Sequence, residues 1–144
     1  MRVETSQFGV LEVNDEEVYT FSQGIPGFEH LHRFVFVEIE ETPFAYMQSV
    51  EEAALALIVT NPFVFYPEYD FVLPETDKQD LDIQDEQQVL VKCIVTAQND
   101  FSKSTINLLA PLVLNVHTRC GKQLVLHQSS YMTKHLLLRQ QEEK

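Results

Sequence analysis

Residues 43–73, PFAYMQSVEEAALALIVTNPFVFYPEYDFVL, decide how this chain is read. Two apolar runs, FAYMQS at 44–49 and LALIVTN at 55–61, flank an acidic hinge. Both runs have strand length, and the second is continuously apolar, as buried strands are. The hinge carries helix-favouring residues but is too short for a self-standing helix, so it reads as a turn. Pro62 closes the second run. FVFYPEYDFVL, 63–73, alternates enough to read as a strand broken at Pro67. The stretch is also crowded with rings. Phe44, Tyr46, Phe63, Phe65, Tyr66, Tyr69 and Phe71 are seven of the chain's fifteen Phe and Tyr residues. Some of these rings must build a core, and others are expected to meet a partner.

Working outward, residues 1–21 alternate around Gly9 and Asn14-Asp15, which predicts two or three short antiparallel strands. FSQGIPGFE, 21–29, sets Gly24 and Gly27 around Ile25-Pro26 and reads as a shaped turn. Its apolar pair, Ile25 and Phe28, is either a plug over the core or a contact surface. RFVFVEIEE, 33–41, is a strand by composition. PETDKQDLDIQDEQQ, 74–88, is strongly acidic; Pro74 and the acidic first turn predict a short helix. Only Leu81 and Ile83 tie that segment to a core, so a mobile surface position is expected. VLVKCIVTA, 89–97, is the longest strand candidate. Residues 104–118 give one long strand or two short ones, with Pro111 at an edge or bulge. RCGK, 119–122, reads as a hairpin turn around Gly121, with QLVLH, 123–127, as the return strand. LLLRQQEEK, 136–144, could be helical, with an end that frays from about residue 137.

The count is about eight to ten short strands, with turn signals every ~8–12 residues and no long amphipathic helix. The fold class is therefore mainly all-β: a small antiparallel β-barrel-like domain with one or two short helical turns. At 144 residues and 44% hydrophobic, one domain spanning 1–144 can bury its own core. No apolar run approaches the roughly 20 residues that span a bilayer, and no signal-like leader opens the chain. A soluble, cytosolic protein is expected.

Charge is uneven. Residues 1–88 hold 3 Lys or Arg and 19 Asp or Glu, a balance of −16; residues 89–144 hold 7 and 3, a balance of +4. So acidic a segment disfavours nucleic acid, whose binding needs cations to replace counterions. It suits a basic protein partner, or solubility alone. Cys93 and Cys120 are too few for a disulfide framework and lie in apolar runs, where reduced thiols behave as small hydrophobes. His30 and His32 would share a strand face, as two metal ligands could, but spacing supplies no third. Glu40-Glu41 and Glu51-Glu52 are paired carboxylates in polar hinges, where solvation is the default. Nucleotide-binding, hydrolase, metalloprotease and CxxC signatures are all missing.

Five segments carry a resemblance: FSQGIPGFE at 21–29, PFAYMQS at 43–49, LIVTNPFVFYPEYDF at 57–71, TINLLAPLVLN at 105–115 and LHQSSY at 126–131. In this order and spacing, the chain resembles the FliW family of flagellar assembly factors over nearly its whole length. The resemblance implies a small antiparallel β-barrel-like protein that is not an enzyme, and the missing signatures leave no cofactor or metal expected. It also implies two protein partners. One is flagellin, engaged through its terminal region. The other is CsrA, a small dimeric regulator that blocks translation of flagellin mRNA. A FliW-like protein freed by flagellin export captures CsrA and lifts that block.

For such a partner, affinity should come from buried apolar anchors and partner choice from charge. Ile25 and Phe28, with Tyr46, Phe63, Tyr66 and Tyr69, form the candidate apolar centre. Glu51, Glu52, Glu68, Asp70, Asp80, Asp82, Asp85 and Glu86 form the candidate acidic rim. The competing role for each ring is core packing. Two other readings use the same residues: a small-ligand barrel lined by these aromatics, and an acidic mimic that competes directly for the RNA-binding surface of CsrA. The resemblance favours a contact outside the RNA groove, with RNA excluded indirectly.

Overall fold

The structure is a computed structural model that describes residues 1–127 and 129–138. Its strands are β1 (Arg2–Thr5), β2 (Gly9–Glu12), β3 (Tyr19–Thr20), β4 (Arg33–Glu38), β5 (Phe44–Ser49), β6 (Ala56–Thr60), β7 (Val89–Thr96), β8 (Thr105–Ile106), β9 (Leu112–Asn115), β10 (Cys120–Gln123) and β11 (His135–Leu136). Two short helices, α1 (Pro62–Phe65) and α2 (Glu75–Asp80), lie between β6 and β7. β1 and β2 form a hairpin of their own. The remaining strands run β11-β8-β7-β6-β5-β4-β3-β10-β9, and β9 pairs back onto β7. That last pairing closes seven strands into a barrel. Within the ring no strand edge is left open, and edges remain on the β1–β2 hairpin and on β11.

The meander β4–β5–β6 sets the inner face. Phe36 lies opposite Met47, Met47 opposite Leu57, and Val59 between Ala45 and Ile94. Directly paired residues share a face, so one inward choice fixes the others. Phe21, Phe34, Leu112 and Leu114 join them, and all four are fully buried. Side chains therefore fill much of the interior, the packing role that competes with the small-ligand reading.

The eight residues of β7 make the seam. Val89–Lys92 pair with β9, whereas Cys93, Ile94 and Val95 pair with β6. Beyond Lys92, β8 takes the place of β9, with Ile106 opposite Val95. β8 and β9 are two pieces of one interrupted strand. The Asn107 side chain accepts from the N–H groups of Leu109 and Ala110 at 3.1 and 3.0 Å, a local turn that ends at Pro111.

Several expectations need correction. Residues 63–73 are not a strand. The Asn61 side chain accepts from Phe63 N–H at 2.9 Å, and Pro62 takes the first helical position, so the chain turns into α1. Gly121 is not in the hairpin turn but inside β10, opposite Leu114. A Cβ there would lie 2.5 Å from the Phe21 ring, so only glycine lets β10 close on the core. The turn itself lies just before, with Arg119 at a φ of 61°. Residues 124–127 lie past the end of β10, yet the N–H groups of Leu124 and Leu126 still donate to the Pro111 and Leu109 carbonyls at 2.9 and 2.8 Å.

Nor is the acidic segment loosely attached. Lys122 of β10 donates to Asp77 and to Asp80 of α2, Leu81 is buried, and Asn115 donates to the Leu81 carbonyl at 2.8 Å. Two carboxylates hold the Lys122 ammonium above its ordinary range. At the other end of the chain, Leu137 is buried in an outer core cluster. The helix read over 136–144 finds β11 at His135–Leu136, and residues 139–144 lie outside the described residues.

Candidate functional site

A groove of about 490 Å³ opens over the seam that closes the barrel. Val89 and Val91 of β7 and Val113 of β9 form its floor, on the outer face of the ring. Phe63 of α1, Phe71, Leu73 and Ile83 wall it, and Asp70, Asp85 and Glu86 stand at its rim with Lys78. Phe63 is 41% exposed, its ring centroid 5.7 Å from that of Tyr69. Among the described residues, Asp70, Asp85 and Glu86 make no ion pair, whereas Lys78 lies near Glu75. Asp85 caps the short 3-10 turn Glu86–Gln88 by accepting from Gln87 N–H at 3.0 Å. That bond fixes where its charge points.

The other expected anchors go elsewhere. Ile25 is 2% exposed and belongs to the barrel interior; it bridges to Phe28, which packs on the same cluster. Gly24 makes this plug possible, with φ at 68° and the Glu29 backbone where a Cβ would sit. Tyr46 meets Phe8 edge-on at 5.3 Å and holds the β1–β2 hairpin against β5. Tyr66 and Tyr69 are core residues, not surface anchors. Their hydroxyls donate to the Leu136 and Leu108 carbonyls at 2.6 and 2.7 Å. A buried ring whose hydroxyl is satisfied has no reason to turn outward. Burial next to these rings pushes the Cys93 thiol up to about 12, so it stays a neutral packing group.

The acidic residues divide in the same way. Glu51 accepts from the N–H groups of His32 and Arg33 at 2.8 and 3.2 Å and lies 3.7 Å from the Arg33 side chain. Partial burial raises its pKa, but the two N–H groups and the Arg33 charge outweigh that and leave it below the ordinary carboxylate range. Asp80 is held by Lys122 at 2.8 Å. Asp82 sits at a φ of 55° beside Gln84. Glu52 and Glu68 are exposed away from the groove lining. Four of the expected residues, Phe63, Asp70, Asp85 and Glu86, therefore meet at one place. The valine floor was missed. Its signal lay in VLVKCIVT, where Val89 and Val91 share a face.

His32 Nδ1 donates to the Phe21 carbonyl at 3.0 Å, a structural bond. Among the described residues, no three His, Cys, Asp or Glu side chains converge as a metal site would require. Among them also, no helix is long and apolar enough to cross a membrane.

The family described as FliW protein matches residues 2–137. The chain is 43% identical to the flagellar assembly factor FliW of Bacillus subtilis (strain 168), over 94% of this chain and 95% of that one. It is 41% identical to the protein of that name from Alkaliphilus metalliredigens, over 96% and 86%. Against a solved crystal structure of the flagellar assembly factor FliW, the TM-score is 0.92 at 37% identity, covering 99% of this chain and 100% of the other. Fold and sequence agree, and the chain belongs to the FliW family of flagellar assembly factors.

Proposed function

We propose that this protein acts in the cytoplasm as a non-enzymatic binder of two polypeptides. It engages flagellin and, when free of it, captures the translational repressor CsrA and relieves repression of flagellin mRNA. Family membership supports the flagellar role, and the resemblance set out above supports the two partners. The observation that carries the reading is the groove, where a valine floor is rimmed by Lys78 and by three carboxylates that make no ion pair among the described residues. CsrA must be basic where it meets RNA phosphates. A carboxylate rim attracts such a protein and repels its RNA. Screening limits that field to about 8 Å at physiological salt, so it acts beside the contact and not across the molecule. RNA is then excluded without its own groove being occupied.

Titration of the purified protein with CsrA and with flagellin, followed by addition of flagellin leader RNA to the CsrA complex, tests this. We expect both proteins to bind, and RNA to be released from CsrA without excess RNA displacing the bound protein. Mutual displacement would instead indicate direct competition for the RNA surface. Failure to bind either protein would remove the proposal.

A further inference from the structure

Between α1 and α2, the chain passes through Asp70, Phe71, Val72 and Leu73, which belong to no strand. Burial alternates along them as it does along an extended chain. Phe71 and Leu73 pack inward on the outer core clusters. Asp70 and Val72 face out, and Val72 is 86% exposed. Leu73 precedes Pro74, which favours the extended region. Asp70 N–H donates to the Tyr131 hydroxyl at 3.1 Å. Among the described residues, the N–H and C=O groups of Phe71, Val72 and Leu73 make no hydrogen bond.

This extended stretch of backbone is left open beside the groove. We infer that residues 70–73 are a docking strand: a partner segment in extended form lies in the groove over the β7–β9 seam and pairs with this backbone. Main-chain pairing supplies affinity in such a mode, and alternate side chains supply selection. The occupant is a segment alternating apolar and cationic residues. Its apolar side chains meet Phe63 and Val91, and its Lys or Arg side chains meet Asp70, Asp85 and Glu86. An acidic segment would face three carboxylates against one lysine, Lys78. This rests on the proposed function and names its mode of recognition.

The test follows the backbone amides of residues 71–73 by hydrogen exchange while an alternating Lys–Val peptide is titrated in, with an alternating Glu–Val peptide as control. These amides should exchange fast in the free protein and slow by about tenfold or more with the Lys–Val peptide alone. Val72→Pro removes one donor and should weaken peptide binding by about tenfold, whereas Val72→Ala should leave it within about twofold. Unchanged exchange with the Lys–Val peptide, an equal response to the Glu–Val peptide, or equal losses from the two substitutions would each overturn the inference. CsrA and flagellin are titrated in parallel. If they bind and the amides stay unprotected, the docking strand fails alone. If neither binds while the Lys–Val peptide protects the amides, the proposed function fails and the docking strand stands.

Discussion

Residues 62–69, with four rings and one carboxylate, and residues 70–73, with one of each, are neighbours, yet they do opposite things. In the first, Pro62, Tyr66 and Tyr69 are buried, and two tyrosine hydroxyls fasten the loop to carbonyls on β11 and beside β8. In the second, Phe71 and Leu73 are half-buried, Val72 stands in solvent and the backbone of 71–73 makes no hydrogen bond among the described residues. What separates them is whether each polar atom reaches an acceptor within the fold. An aromatic with a satisfied hydroxyl becomes structure. A backbone with no ladder remains available.

The largest test of that contrast is Tyr69→Ala. It deletes a ring that is 3% exposed together with its hydrogen bond, and should cost about 3–5 kcal/mol in urea denaturation. Tyr69→Phe keeps the ring and should cost about 1 kcal/mol. If the alanine protein matched wild-type stability, residues 62–69 would be no more fixed than 70–73.

Next is the clamp on α2. Lys122→Met should destabilise by about 1–2 kcal/mol and speed amide exchange in Glu75–Asp80. The hydrogen bonds that Lys122 donates to Asp77 and Asp80 raise its pKa above the ordinary 10.5. The clamp is therefore at full strength below pH 10.5 and is lost as pH rises through the folded value. Thermal unfolding of the two proteins should converge there.

Glu51→Gln is smaller, about 1 kcal/mol, because the side chain is partly solvated. With its folded pKa depressed below 4.5, Glu51 contributes above pH 4.5 and loses that contribution as pH falls through the folded value. The variant should show a flatter acid limb in stability against pH. Smallest in stability is Asp85→Asn with Glu86→Gln, below ~0.5 kcal/mol, since Asn also caps. Yet only this pair should slow CsrA association at low salt. An unchanged on-rate would place the groove outside the CsrA contact.

Much of the frame was readable in the chain. The runs at 33–38, 44–49, 56–60 and 89–96 are strands because period-two and continuous apolar patterns are local signals. Asn61-Pro62 was equally local, but its capping role lost to the alternation of the residues after it. Gly121 was read as a turn because glycine signals turns, whereas its role is a close approach to Phe21, 100 residues away in sequence. The tyrosines divide by acceptors 39 and 70 residues distant, and no window of sequence contains those. Charge pattern likewise could not tell Glu51, held by backbone N–H groups, from Glu86.

The seam at β7 also governs the order in which the molecule can assemble. Its first half waits for Leu112–Asn115, and β10 must arrive before the circle joins β3. Emerging from a ribosome, the meander β4–β6 can pair early, but it has no lid until residues past 120 are out. Folding of this chain should thus be late and slow relative to its synthesis, limited by distant pairings, with Val89–Lys92 as a bare rail for unwanted neighbours meanwhile.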